Sequence, residues 1–168
     1  MAAQKFLNVL SGVITQAQAN DSSAGVGDAG KLVALDTSGK IAVNMMPTGI
    51  GAELLNLPTS ENLSANDLVN IFSDTGTIKA RKADCSNSRT AHGFVKVAVT
   101  APAVVDVYFE GDSTGLSAKT AGAKQFLSTG GAMTETAPST SAYLVQTVGY
   151  ATGTTTARIQ VSDPIVLA

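Results

Sequence analysis

Leu68–Lys82 reads LVNIFSDTGTIKARK, two alternating runs separated by Asp74-Thr75-Gly76. Asp and Gly in such a gap favour a tight turn, because the carboxylate bonds nearby backbone and Gly accepts positive φ. The spacing predicts a β-hairpin, Leu68–Ser73 against Thr77–Lys82. Working outward, Ala91–Val99 and Val104–Phe109 are β-branched runs joined by Thr100-Ala101-Pro102-Ala103, and Lys124–Ser128, Tyr143–Ala151 and Thr155–Val161 follow. About seven short strands at even spacing, with Gly-, Ser- or Pro-containing loops between them, predict an antiparallel β-sandwich or small β-barrel. No stretch of Leu68–Ala168 has a helical period. The β domain is expected over residues 59–168.

Upstream, Gly30–Gly51 reads GKLVALDTSGKIAVNMMPTGIG. Two short apolar runs, Lys31–Leu35 and Ile41–Val43, flank the turn formers Asp36-Thr37-Ser38-Gly39. Pro47, Gly49 and Gly51 stop any regular element from continuing past Met46. Such a ribbon has an apolar face and nothing of its own to cover it, so it is expected to dock on a partner. Before it, Phe6, Leu10, Val13, Ile14 and Ala17 follow the apolar stripe of a helix about four turns long. Gly12 and the β-branched Val13, Ile14 and Thr15 weaken that helix. Asn20–Gly30, NDSSAGVGDAG, reads as a flexible linker. Residues 1–58 are therefore expected to form an extended arm that carries a short helix. Ala52–Leu57 is an apolar patch at its end, closed by Pro58.

The segment GDAGKLVALDTSGKIAVNMMPTGIG resembles a stretch found in structural proteins of tailed bacteriophages, of the pattern GKxVALDxxGKIxxxMMPxGIG. Weaker similarity continues through Leu68–Lys82, Ala91–Val97, Val107–Gly111 and Asp163–Ala168, and so touches most of the chain after about Gly25. The family is that of head decoration, or capsid cement, proteins. The resemblance implies a small β-rich structural protein of the virion and carries over no catalytic residue.

Composition agrees with a structural role. Of 168 residues only 14% are charged and 5% aromatic, with no Trp. Soluble domains typically carry about 25% charged residues. A surface so poor in charge suits burial against neighbouring subunits. The net charge of −2 offers no basic face for nucleic acid; Lys79, Arg81 and Lys82 cluster, but Asp74 and Asp84 flank them. The single Cys85 allows no internal disulfide and no thiolate metal cluster, and reads as an incidental loop residue. No stretch reaches the ~20 apolar residues needed to span a membrane, and the interrupted run Phe6–Ile14 is a poor signal peptide.

Two motifs invite catalytic readings. Gly25–Lys31, GVGDAGK, matches half of a phosphate-binding loop, but Leu32 stands where a Ser or Thr would bind magnesium, and the flanking text lacks the strand-then-helix context. Gly111–Gly115, GDSTG, fits G-x-S-x-G, with His92 and Asp106 preceding it in the order of one protease class. That class spreads its three residues over two barrels, and the hydrolase elbow needs a His after Ser113, where none exists. GDSTG is read as a strand-ending loop, His92 as a strand-edge histidine, and Asp106 and Glu110 as partners for cross-strand cations. No catalytic, cofactor or metal residue is assigned.

The expectation is a non-enzymatic capsid decoration protein. It would be made in the host cytoplasm and would bind the outside of the major capsid protein shell, clamping neighbouring subunits as a homotrimer or homodimer. Leu32, Val33, Leu35, Ile41, Val43, Met45, Met46, Ile50, Leu54 and Leu55 are the expected contacts, Met being suited to irregular apolar grooves. The alternative is a fibre-associated receptor- or glycan-binding module.

Overall fold

The structure, a computed structural model, describes residues 5–46 and 53–168. The chain forms two compact units, Met1–Gly51 and Ala52–Ala168. That boundary lies upstream of the expected one at Pro58. The physical reason is pairing: Leu54–Pro58 is a strand, in antiparallel register with Val104–Tyr108, so its backbone belongs to the β unit.

In the first unit, β1 (Lys5–Leu10) and β2 (Val13–Gln18) form an antiparallel hairpin. This corrects the expected helix. Ser11 and Gly12 have φ of 52° and 80°, the pair of positive angles that a two-residue hairpin turn of the right twist requires and a right-handed helix forbids. The β-branched Val13-Ile14-Thr15, unfavourable to a helix, packs well on a pleated strand.

Beyond the hairpin, regular structure gives way to turns. The Asp36 turn forms as expected: its carboxylate accepts from the backbone N–H groups of Ser38 and Lys40, and Gly39 N–H donates to the Asp36 carbonyl. The flanking runs, however, do not pair as a ribbon. Val33 instead makes an isolated parallel bridge to Asn20, and Val43–Met45 is a single 3-10 turn. Pro47–Ala52 lies outside the described residues.

Among its described residues the second unit has twelve strands, whose strand-to-strand pairings are antiparallel. They are β3 (Leu54–Pro58), β4 (Leu68–Asp74), β5 (Thr77–Lys82), β6 (Gly93–Phe94), β7 (Val104–Tyr108), β8 (Glu110–Thr114), β9 (Lys124–Leu127), β10 (Met133–Thr134), β11 (Leu144–Val145), β12 (Thr147–Ala151), β13 (Thr156–Gln160) and β14 (Ile165–Val166). One sheet has the order β3-β7-β6-β4-β5, a second β10-β9-β12-β13-β8, and β11 and β14 form a short ribbon. The fold is mainly β and antiparallel, as the alternation predicted. The hairpin Leu68–Lys82 is β4 and β5, joined through Thr75 and Gly76 at positive φ.

The first sheet is buried on both faces. Leu68 and Phe94 face the second sheet and pack with Leu127, Val148, Ala157 and Ile159. Val69, Ala80, Leu57, Val105 and Val107 point the other way, into a separate apolar cluster completed by Leu63 and Val95. That cluster is enclosed because the sheet curls until its edges meet. Thr59 bridges Ala80, and Ser60 N–H donates to the Ala80 carbonyl at 3.0 Å. Two small cores, rather than one large one, absorb a sequence poor in large side chains.

Three strand readings change. GDSTG is not a loop: it overlaps β8, an edge strand of the second sheet, and Ser113 is fully buried there. Ala91–Val99 keeps only Gly93–Phe94 as strand, and Tyr143–Ala151 is broken at Gln146 into β11 and β12. Cys85 is a core residue, packed with Leu68 and Phe94, and not an incidental one.

Candidate functional site

Among the residues of the first unit whose side chains are described, none is buried. Leu7, Val9, Val13, Ile14, Val26, Leu32, Val33, Leu35, Ile41 and Met46 all present large apolar side chains to solvent. Soluble surfaces tolerate single apolar residues, but a concentration of this kind marks a contact surface. Leu35 remains 61% exposed and Met46 40%.

The unit is ordered nonetheless, by polar clasps in place of a core. Asp28 accepts from the Ala24 N–H at 2.6 Å and from the Lys31 ammonium at 2.7 Å. Asn44 donates to the Ser23 carbonyl at 2.8 Å and accepts weakly from the Ser23 N–H. Asn20 N–H donates to the Leu32 carbonyl, and Ala34 N–H to the Asn20 carbonyl. These bonds fix the 20–46 backbone while its apolar side chains point outward. A contact surface held in shape beforehand loses less conformational entropy on binding than a free coil.

Asp28 also explains the failed phosphate-loop motif. The motif's Lys31, the cation that would meet a phosphate, and the Ala24 amide just before the motif are taken by the chain's own carboxylate. The Lys31 ammonium first, then the Ala24 N–H, hold the Asp28 carboxyl down at about 2.

Of the ten expected contacts, Leu32, Val33, Leu35, Ile41 and Met46 lie exposed on the first unit. Met45 is half-buried, beside Asn20 and Asn44. Val43 is placed by its backbone in the 3-10 turn, and Ile50 lies outside the described residues. Leu54 and Leu55 are exposed on β3 of the second unit, so the expected contacts are divided between the two units. The hairpin residues Leu7, Val9 and Ile14 were missed as contacts. The i, i+4 spacing assigned the stretch to a helix whose stripe, Ile14 included, would pack either on a partner or on the parent domain, and it left Leu7 and Val9 off that stripe.

The residues of the protease-like motif are committed to other partners. Ser113 donates to Asn66 Oδ1 at 2.7 Å. Asp106 accepts from the Asn56 amide. His92 accepts at Nδ1 from the Ile71 N–H at 2.9 Å, with Nε2 3.1 Å from Thr90 Oγ1. Glu110 pairs with Arg158. The basic cluster is likewise occupied: Lys79 pairs with Asp74, Lys82 with Asp67, and Arg81 lies 4.0 Å over the Phe72 ring. Among the described residues no group of three or more His, Cys, Asp and Glu is placed to hold a metal ion.

An open groove of about 600 Å³ lies beside His92, between Ile71, Phe109, Val161 and Pro164. Thr90, His92, Gln146 and Ser162 in its lining are bonded to protein, and Asp163 lines it as well. Because His92 Nδ1 accepts a backbone N–H, the neutral ring carries its proton on Nε2, and protonation at Nδ1 would set donor against donor. Burial lowers the His92 pKa below 6.5. The unfolded chain then binds more protons in the window just below that value, so stability falls as pH drops through it. Chemical denaturation at pH 7.5 and 5.5 is expected to give a lower midpoint at 5.5. His92→Gln should flatten that difference; an equal slope in the variant would assign it to other groups.

No protein-family model matches this chain, and no curated protein is significantly similar to it.

Proposed function

We propose that the protein is a non-enzymatic structural component of a tailed-bacteriophage particle, a decoration or cement protein that binds the outside of the major capsid shell and clamps neighbouring subunits. The observation that carries this reading is the pairing of a closed β unit, with two cores of its own, with an N-terminal unit whose large apolar side chains are exposed around a polar framework. The first unit would supply the contact and the second would stand as the body between contacts. Repetition over a symmetric shell multiplies a modest single contact into firm attachment. The resemblance of GKLVALDTSGKIAVNMMPTGIG to the decoration family points the same way.

The test is co-sedimentation of the purified chain with expanded, undecorated shells. Saturation at hundreds of copies per particle with a raised shell melting temperature is the expected result. Binding of a few copies or none overturns it. A few copies would favour the fibre-associated, glycan-binding reading, for which Tyr150 is the relevant feature. It is exposed on the outer face of the second sheet, in register with Lys124 and Arg158.

A further inference from the structure

Among the described residues neither edge of the β1–β2 hairpin pairs with a further strand, and the β2 edge lacks the charge that two edge strands of the β unit carry. A free strand edge is a template for pairing with another chain, and proteins guard edges meant to stay single with charge or cover. On the β unit, edge strand β8 carries Glu110 and Asp112, and β5 carries Lys79 and Lys82 and is covered at Ala80 by Ser60. β2 reads VITQAQ, with no charge at all.

The turn geometry determines which backbone groups this edge offers. A two-residue turn at Ser11-Gly12 makes Leu10 and Val13 the closing hydrogen-bonded pair, so Asn8–Thr15 and Phe6–Ala17 are bonded pairs too. The intervening residues Ile14, Gln16 and Gln18 therefore direct their N–H and C=O groups away from β1. Among the described residues nothing is bonded to those groups. The segment around Val33 covers this edge only at Asn20.

We infer that the β2 edge pairs with the β2 edge of a second copy of this chain, antiparallel and centred on Gln16. In such a two-fold pair each residue meets itself or its mirror position, so only self-complementary groups are tolerated. The outward positions are Ile, Gln and Gln: an apolar group and two amides, each amide both donor and acceptor. An edge with Glu110 and Asp112, or with Lys79 and Lys82, would repel its own copy. The register also fits in length. Gln16 faces Gln16, Ile14 faces Gln18, and the next position would be Asn20, already bonded to Leu32 and Ala34. Pairing makes four strands of two and joins both copies of the Leu7, Val9 and Ile14 face, whose residues are 75%, 66% and 70% exposed in the single chain. A lone hairpin is marginal, and three or more strands with an apolar face are not.

This pairing stands independently of the capsid reading and is tested without shells. Sedimentation velocity of the full chain over a concentration series is expected to show a reversible dimer. Gln16→Glu and Gln16→Lys each place like charges face to face and should weaken dimerisation about tenfold or more. An equimolar mixture of the two should restore it as a heterodimer, and salt should weaken that rescue. Gln16→Pro removes the outward N–H, leaves the bonds to β1 intact, and should abolish the dimer. A wild-type chain that stays monomeric throughout overturns the inference. So does a dimer indifferent to all three substitutions, or the absence of rescue in the mixture.

Discussion

Replacing Gln146 by Leu is expected to remove about 3–5 kcal/mol of stability from the β unit. Gln146 is buried where the chain passes from β11 to β12. Its Oε1 accepts from the Ala91 N–H at 2.8 Å, and its Nε2 donates to the carbonyls of Ala91 at 2.9 Å and Ser162 at 2.8 Å. One amide thus fastens the segment before β6, in the first sheet, to the segment after β13, in the second. Leu fills a similar volume but leaves the buried Ala91 N–H and C=O without partners, each costing roughly 1–3 kcal/mol when water cannot reach it, while the Ser162 carbonyl borders the open groove. Total stabilities of about 5–15 kcal/mol make this a large fraction. Urea unfolding should show a lower midpoint with an unchanged slope. Gln146→Glu should be worse than Leu, because a buried carboxylate would face two carbonyl oxygens. A loss below 1 kcal/mol for Leu, or the reverse order of the two variants, would sink this account.

The double substitution Leu35→Asp with Met46→Asp is expected to weaken attachment to expanded shells by about a hundredfold or more while leaving the chain folded. Both side chains are exposed and neither belongs to the clasps at Asn20, Asp28 and Asn44, so the unbound chain gains two solvated charges at little cost. In the bound state those carboxylates would be buried without partners, a cost of several kcal/mol that binding must overcome. Met45, half-buried against Asn20 and Asn44, is unsuited to this experiment because its replacement would disturb the framework itself. Val104→Asp with Ile165→Asp is the matched control on the β unit, where both positions are equally open; it should bind as the wild type does. Equal binding by both doubles would remove the first unit from the contact, and equal loss would spread the contact over both units. Unchanged circular dichroism and unfolding midpoint in each variant separate these outcomes from misfolding.

Local pattern made the β unit legible. Alternation in Leu68–Lys82 and the Asp-Thr-Gly turn set the β4–β5 hairpin with its bounds nearly intact, because both signals act within a few residues. The same reading failed at Phe6–Ala17, where the apolar spacing satisfies a helix and a hairpin alike. There the two-residue turn and the β-branched run decided between them. It failed again at GDSTG, whose small polar residues look like a loop, since what holds them extended is β13, and what satisfies the buried Ser113 hydroxyl is Asn66.

The contact candidates show the same division. That Leu32, Val33, Leu35, Ile41 and Met46 lacked local cover was readable from the turn formers and glycines around them. That Asp28 and Asn44 would hold the segment in shape was not, because their partners are chosen only once the backbone has folded back on itself. By itself the sequence determined the β class of the second unit, the β4–β5 hairpin, the turns at Asp36 and Asp74 and a composition poor in charge, all consequences of side-chain type and period. Only the tertiary structure decided that the first sheet closes on itself through Thr59 and Ala80, that Leu54 and Leu55 belong to the β unit, and that Gln146 ties Ala91 to Ser162. Each of these is a hydrogen-bond choice among residues far apart in the chain, and no local propensity distinguishes one distant backbone partner from another.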